Sequence, residues 1–453
     1  MPSRATLRET LFPPPRSPSR VLPRWEAGVL VTSLLVVGTV LALLRLGWSA
    51  PLKTIWAEDG PIYLQGALTQ GFWEAVFSPY AGYLVLVPRL IAEVATLVPL
   101  EQAPAAISIL SAFLAALSAL AVWHGSSGHV HNPYLRGGLA LALLLVVSAG
   151  EETLLSAAYV PWYMLIGSFW LLFWHPKTET GAVFGGIFML ATGLSTPGVW
   201  FFMPIAILRA ATIEDRRDAT LVGSFVLGAL VQVPVMIAQE QGESLWTSHI
   251  WTAYLQRVLD AGLFGQDLGG ELWEAFGWGF LVVLLAAAVA GLVWALWRSR
   301  PSARWFGAIT VLASLSIFVF SVYQRSVGLN ISWSPDTSGG VAGRYVLVPA
   351  LLLLSAVVVF VDGAVRGRQR PTGFSWPVAV TLGVIVLAIV TSYDMRLPGF
   401  REGPYWDDAI EAAADKCVAN GEEGAGIETA PPPFGVTVSC TEIESFAGPG
   451  VSR

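Results

Sequence analysis

A chain of 453 residues that is mostly built from apolar stretches about as long as a bilayer is thick has few folds open to it. A helix needs about 20 consecutive apolar residues to cross roughly 30 Å of hydrocarbon. Eleven stretches are read as spans, at residues 27–46, 81–99, 103–123, 137–150, 161–174, 181–208, 219–239, 276–297, 305–323, 345–361 and 376–393. The fourth and fifth are short. The sixth is long and broken at Ser195-Thr196-Pro197-Gly198, so it either kinks there or splits into two half-helices that return to one side. Charge agrees with this class: 13% of residues are charged, against about 25% in a typical soluble domain. The expected fold class is an all-α polytopic membrane protein with about eleven transmembrane helices. The net charge of −6 leaves no nucleic-acid footprint.

Orientation follows from basic residues, which favour cytoplasmic loops. Arg4, Arg8, Arg16, Arg20 and Arg24 precede the first span, and Arg209, Arg216 and Arg217 sit in one loop. Arg298, Arg300 and Arg304 sit in a second loop, and Arg366, Arg368 and Arg370 in a third. Eleven crossings put all four groups on one side. The N-terminus is therefore expected in the cytoplasm, and residues 47–80, 240–275, 324–344 and the tail outside. Glu151 and Glu152 then fall inside. Were the second and sixth stretches re-entrant, that pair would move outside while the main outer loops stayed in place. The Ala, Gly, Leu, Val and Arg bias points to a bacterial plasma membrane.

Three units are expected. Residues 1–24, rich in Pro and Arg, should be a disordered cytoplasmic tail; residues 25–395 form the membrane domain, its first span an uncleaved anchor; residues 396–453 make a small outer tail. Cys417 and Cys440 lie in that tail, where an oxidising compartment lets a disulfide persist. Tyr405–Ala419 reads as helix and Thr437–Ser439 as a short strand. No nucleotide-binding or zinc-ligand spacing appears. His124, His129 and His131 share a loop and read as a polar surface before a metal site.

The first outer loop carries the densest chemistry. Trp56-Ala57-Glu58-Asp59-Gly60 places two adjacent carboxylates after the first span. Leu64, Leu68, Phe72 and Val76 then recur every four residues, one apolar stripe on a helix lying in the interface. Pro61 suits the first turn of that helix and Asp59 its N-cap, so capping alone is a sufficient structural reason for Asp59. Tyr80-Ala81-Gly82-Tyr83-Leu84 and Arg89 follow. An arginine inside a span needs protein, water or a partner, and Glu93, four residues on, offers a structural pair. Lys53 is a salt partner near the acidic pair.

On Glu58-Asp59, the interfacial helix and the second large outer loop, the chain resembles the GT-C superfamily of polytopic glycosyltransferases. That group includes protein O-mannosyltransferases, aminoarabinose transferases, and actinobacterial arabinosyl- and mannosyltransferases. The resemblance implies a GT-C-like membrane domain and transfer of a sugar from a polyprenyl-phosphate donor to an acceptor hydroxyl. It puts the general base in the first outer loop, Asp59 first and Glu58 second. The leaving phosphate needs guanidinium groups; Arg89, Arg344 and Arg257 are the candidates, with Arg325 behind them. Trp56, Tyr63, Tyr80 and Tyr345 are candidates for contact with sugar or acceptor, while Trp73, Trp246, Trp251 and Trp333 suit interfacial anchoring. Glu151-Glu152 with Tyr159, Pro161 and Trp162 would make a second acidic site if that loop were outside. No cofactor is required, although a divalent cation is compatible. The partners implied are a polyprenyl-phosphate-linked sugar, a glycan, lipid or protein acceptor, and membrane lipids. Two other readings remain: a lipid-linked-sugar transporter or flippase, disfavoured by the lack of an internal repeat, and a non-catalytic scaffold of envelope assembly.

Overall fold

The computed structural model describes residues 4–15, 23–45, 47, 50–145, 155–238, 250–325, 343–365, 375–393, 403–420, 423–441 and 443. Glu151, Glu152, Trp246, Trp333 and the 366–370 basic run lie outside the described residues, as does the side chain of Arg325. The helices are α1 (Arg4–Leu11), α2 (Arg24–Leu44), α3 (Gln65–Thr69), α4 (Phe72–Phe77), α5 (Leu86–Ala95), α6 (Ala103–Gly125), α7 (Pro133–Leu145), α8 (Val160–Leu171) and α9 (Glu179–Gly193). They continue as α10 (Met203–Ala210), α11 (Arg216–Ala238), α12 (Ile250–Ala253), α13 (Ala261–Phe264), α14 (Gln266–Arg298), α15 (Pro301–Arg325), α16 (Arg344–Val365), α17 (Trp376–Tyr393) and α18 (Trp406–Asn420). Strands β1 (Gly424–Glu428) and β2 (Gly435–Ser439) close the chain.

By length and composition six segments can cross a membrane: Trp25–Leu44, Leu100–Gly128, Arg216–Ala238, Leu268–Arg298, Pro301–Gln324 and Arg344–Val365. The chain is an integral membrane protein, but eleven helices of spanning length are not reached among the described residues. The apolar helices α7, α8 and α17 are shorter, and two of the expected spans are different objects.

The stretch at 81–99 is one of them. Only α5 forms there, and ten residues rise about 15 Å, too little to cross. The stretch at 181–208 is the other. α9 and the helical run Pro197–Ala210 meet at a bend of 117°, and the far ends return to one rim. Arg216 at the start of α11 pairs with Glu179 at 3.1 Å, and Arg209 donates to the Trp174 carbonyl at 3.2 Å. The two re-entrant pieces meet at their tips. The Leu86 amide donates to the Leu194 carbonyl, and the Val87 amide to Ser195 Oγ. Gln232, fully buried on α11, accepts from the Leu84 amide and donates to the Leu84 and Gly193 carbonyls. Broken backbone is tolerated at membrane depth when protein groups satisfy it in this way. A Cβ on Gly193 would lie 2.8 Å from the Gly228 backbone, so only glycine lets α9 and α11 touch here.

These contacts define two rims. One holds the first loop, the start of α8 and the start of α16. The opposite rim holds Arg8, Arg209, Arg216, Arg217 and the aromatic cluster of Phe169, Trp170, Phe173 and Phe306. Residues 4–15 differ from the disorder expected of residues 1–24. α1 forms because Leu11 and Phe12 can be buried against that cluster. His129 and His175 donate to the Leu11 and Phe12 carbonyls, and Arg8 pairs with Glu214 and Asp218.

The C-terminal unit is not all-α, although its helix and second strand follow the sequence expectation. β1 and β2 pair antiparallel with Gly426 opposite Thr437. Ala425, Ile427, Val436 and Val438 alternate inward, the period-two burial of a half-covered sheet. The expected disulfide joins Cys417 and Cys440. This unit grips the first loop. The Trp406 amide donates to the Lys53 carbonyl, and Ala430 exchanges hydrogen bonds with Ile55 and Ala57. The side chain of Gln65 donates to the Thr437 carbonyl and accepts from the Thr437 amide, standing in for a third strand. Lys53 pairs with Asp407, not with the acidic pair.

Candidate functional site

The acidic pair lies in a short 3₁₀ turn, Ala57–Asp59, followed by a π-turn, Gly60–Leu64. Asp59 does not cap its own helix with its side chain. Its carboxylate reaches 97 residues along the chain instead. Oδ1 accepts from Ser156 Oγ at 3.1 Å and the Ala158 amide at 2.9 Å, and Oδ2 accepts from the Ala157 amide at 2.9 Å. It thus caps the turn Ala157–Tyr159 that leads into α8, a capping role supplied from a distant segment. Asp59 is 1% exposed. Burial pushes its carboxyl up to about 7, against three hydrogen bonds that favour the charged form.

Glu58 is partly exposed. Its Oε2 accepts from the Tyr159 hydroxyl at 3.1 Å, and the Tyr159 hydroxyl oxygen accepts in turn from Arg344 Nη1 at 2.9 Å. The Arg344 guanidinium lies over the Tyr159 ring at 5.4 Å and the Tyr345 ring at 5.1 Å. Trp162, one turn along α8, meets Tyr345 edge to face at 5.8 Å. Two loops and the first turn of α16 therefore converge on one line: carboxylate, phenol, guanidinium. Ser156–Trp162 lies on the rim of the acidic pair, which corrects the eleven-crossing assignment of that segment to the other side. The physical reason is the re-entrance of the 81–99 and 181–208 stretches.

Backbone strain gathers here. Ala57 has φ 43°, Leu155 φ 57° and Ala81 φ 54°, a left-handed conformation that costs about 1–2 kcal/mol per non-glycine residue. Such strain persists where the surroundings over-determine it; at Ala57 the hydrogen bond to Ala430 does so.

The other expected site residues divide. Arg89 is buried on α5, with its guanidinium over the Tyr63 ring at 5.2 Å and one N–H on the Ile62 carbonyl. No carboxylate lies within 4.0 Å of it among the described residues, so the Arg89–Glu93 pair does not form. Tyr63 is buried and edge-on to Tyr80; burial first, then Tyr83 and the acidic pair, hold its phenol well above its usual range. Trp56 joins the C-terminal unit through a bridge to Ala430. Arg257 is buried in the π-turn Tyr254–Asp260, an element that packs with α16. Tyr345 and Arg344 are brought to the acidic pair; Tyr159, Ser156 and Trp162 are the additional members.

No group of three or more His, Cys, Asp or Glu side chains is gathered among the described residues, and both Asp59 oxygens are taken by donors. His129 instead supports the N-terminal segment, and His131 pairs with Asp362 at 3.8 Å.

No protein-family model matches the chain, and no curated protein matches it. Among solved structures it is similar to the oligosaccharyltransferase of Archaeoglobus fulgidus, solved with a tethered acceptor peptide containing the NVT sequon. The identity is 14% and the TM-score 0.34, over 87% of this chain and 58% of that one. The chain thus spans little more than half the length of that protein.

Proposed function

We propose that the protein is a membrane glycosyltransferase that moves a sugar from a polyprenyl-phosphate donor to an acceptor hydroxyl at the rim of the acidic pair. The observation that carries this reading is the line from Glu58 through Tyr159 to Arg344. A hydroxyl attacking the anomeric carbon must lose a proton, and the phosphate that leaves must keep a negative charge. Glu58 takes the proton as the acceptor oxygen forms its bond to carbon. The bond from carbon to the phosphate oxygen breaks, and Arg344 receives the charge with donors suited to a phosphate. Asp59, sealed by three donors, holds the α8 turn that carries Tyr159. This reverses the order of the two carboxylates suggested by resemblance. Trp162 and Tyr345 supply aromatic faces beside the reacting centre. The concentration of arginine on the opposite rim supports placing that rim in the bacterial cytoplasm and the acidic pair outside. The acceptor is proposed to be a glycan, lipid or protein hydroxyl.

Membranes containing the protein, fed a panel of radiolabelled polyprenyl-phosphate sugars, test the reading. One donor should give transfer, and Glu58→Gln should lower it about 10²–10⁴-fold, the usual worth of a general base. Arg344→Gln should raise the donor KM. Full transfer by both variants would reject the site.

A further inference from the structure

Arg89 and Glu93 stand four residues apart on α5 and so share one face of the helix. Opposite charges at this spacing can pair, yet these two do not meet. Each keeps a buried polar atom without a partner among the described residues, Nε of the arginine and Oε1 of the glutamate. The guanidinium is nevertheless fixed in place. Nη1 donates to the Ile62 carbonyl, and the group lies over the Tyr63 ring. Gly66 leaves it room, since a Cβ there would lie 2.5 Å from Nη1. A buried charge without a counter-ion is costly, and so is a buried acceptor without a donor. One group that accepts from Nε and donates to Oε1 would relieve both.

The adjoining face of α5 indicates what carries that group. Leu90 and Val94 on α5, and Leu97 just beyond it, recur at helical spacing and are all exposed. They give an apolar chain a path beside the two charged heads. The ligand is then an amphiphile whose head is an anion, for the guanidinium, and shares a proton with the carboxylate. A phosphate monoester meets both conditions: its P–O⁻ oxygens accept from arginine, and its one ionisable P–OH leaves a proton between phosphate and Glu93. A diester has no such proton. Burial raises the Glu93 carboxyl, which favours this sharing.

We propose that Arg89 and Glu93 bind the head of a lipid phosphate monoester whose chain lies along Leu90, Val94 and Leu97. The polyprenyl source of this ligand rests on the glycosyltransferase reading above, in which the lipid phosphate released by transfer is such a monoester. Phosphatidic acid is a second source of the same chemistry.

The experiment uses the full chain in phosphatidylcholine nanodiscs, read by binding and by thermal unfolding. The probes are undecaprenyl phosphate, phosphatidic acid, and phosphatidylmethanol, the diester that differs from phosphatidic acid by one methyl group. Wild type should bind a monoester about tenfold more tightly than the diester, the scale of one charge-assisted hydrogen bond. Binding of undecaprenyl phosphate assigns the site to the product of transfer; binding of phosphatidic acid alone keeps the site and removes the polyprenyl ligand from it. Arg89→Gln should weaken monoester binding about tenfold, while Tm without probe holds or rises because an uncompensated buried charge is gone. Glu93→Gln should bring monoester and diester to similar affinity, because an amide N–H donates to either. A wild type that does not prefer a monoester, an Arg89→Gln protein that binds as wild type or unfolds at a lower temperature, or a Glu93→Gln protein that keeps the preference would each overturn the proposal. Transfer from labelled donors tests the glycosyltransferase reading separately: a protein that transfers sugar but fails these tests loses only the site on α5.

Discussion

Two neighbouring carboxylates of similar chemistry are given different work by their surroundings. Asp59 is out of water and held by three donors; Glu58 faces the site with one phenol on it. Burial and hydrogen bonding oppose each other at Asp59, and burial is the larger of the two. Its carboxyl is raised from 3.8 to about 7 in the folded protein. A group raised on folding binds its proton more tightly in the native state, so its stabilising contribution is complete below the unfolded value and is lost as pH rises through about 7. The Tm advantage of wild type over Asp59→Asn, which does not titrate, should therefore be larger at pH 5.5 than at pH 8. A gap that widens toward alkaline pH would mean that the three donors outweigh burial. The adjacency of these carboxylates is legible in the sequence. Their different partners are not, because Ser156, Ala157 and Ala158 lie about a hundred residues away and two of them act through backbone amides that any residue carries.

At the scale of elements, the re-entrant α5 and the α9–α10 hairpin set which segments share a rim. Their tips depend on Gln232. Gln232→Leu should unfold at a lower temperature, at about 1–3 kcal/mol for each buried backbone group left unpaired, the Leu84 amide and carbonyl and the Gly193 carbonyl among them. The hairpin itself is testable by labelling. In a background with Cys417 and Cys440 replaced, single cysteines at Thr178 and Glu214 should react with an impermeant maleimide from the same side, and one at Ser78 from the other. Labelling of positions 178 and 214 from opposite sides would restore a kinked crossing. The sequence marks both elements, one by the Ser195-Thr196-Pro197-Gly198 break and the other by Arg89 inside an apolar run. It leaves kink and return equally open, since both satisfy the same hydropathy.

Across the whole molecule, the C-terminal unit ties its own disulfide to the geometry of the acidic loop. Cys417 and Cys440 close α18 onto the β-hairpin, and the hairpin and the turn that connects its strands hold Ile55, Ala57 and Gln65. Replacing both cysteines by serine should lower stability by about 2–4 kcal/mol. Hydrogen exchange at residues 50–69 should quicken as the clasp loosens, although those residues contain no cysteine. Exchange confined to residues 403–443 would show that the tail and the site are independent. α1 plays a comparable part at the opposite rim, where Phe12 joins the aromatic core.

Apolar length, charge depletion and cysteine placement are properties of local composition, and they are enough to establish a helical membrane protein, a disulfide-closed tail and an acidic first loop. Transfer of a side chain from water to lipid depends on the side chain itself, so such features survive reading one segment at a time. Whether an apolar stretch crosses or turns back depends on whether its broken backbone finds donors and acceptors elsewhere, and here Gln232 and Ser195 supply them. That choice moved Tyr159 and Trp162 to the rim of Glu58 and Asp59. The line from Glu58 through Tyr159 to Arg344 joins three segments spread over almost three hundred residues. Only the tertiary structure decides it, because a hydrogen bond is set by distance and direction in space.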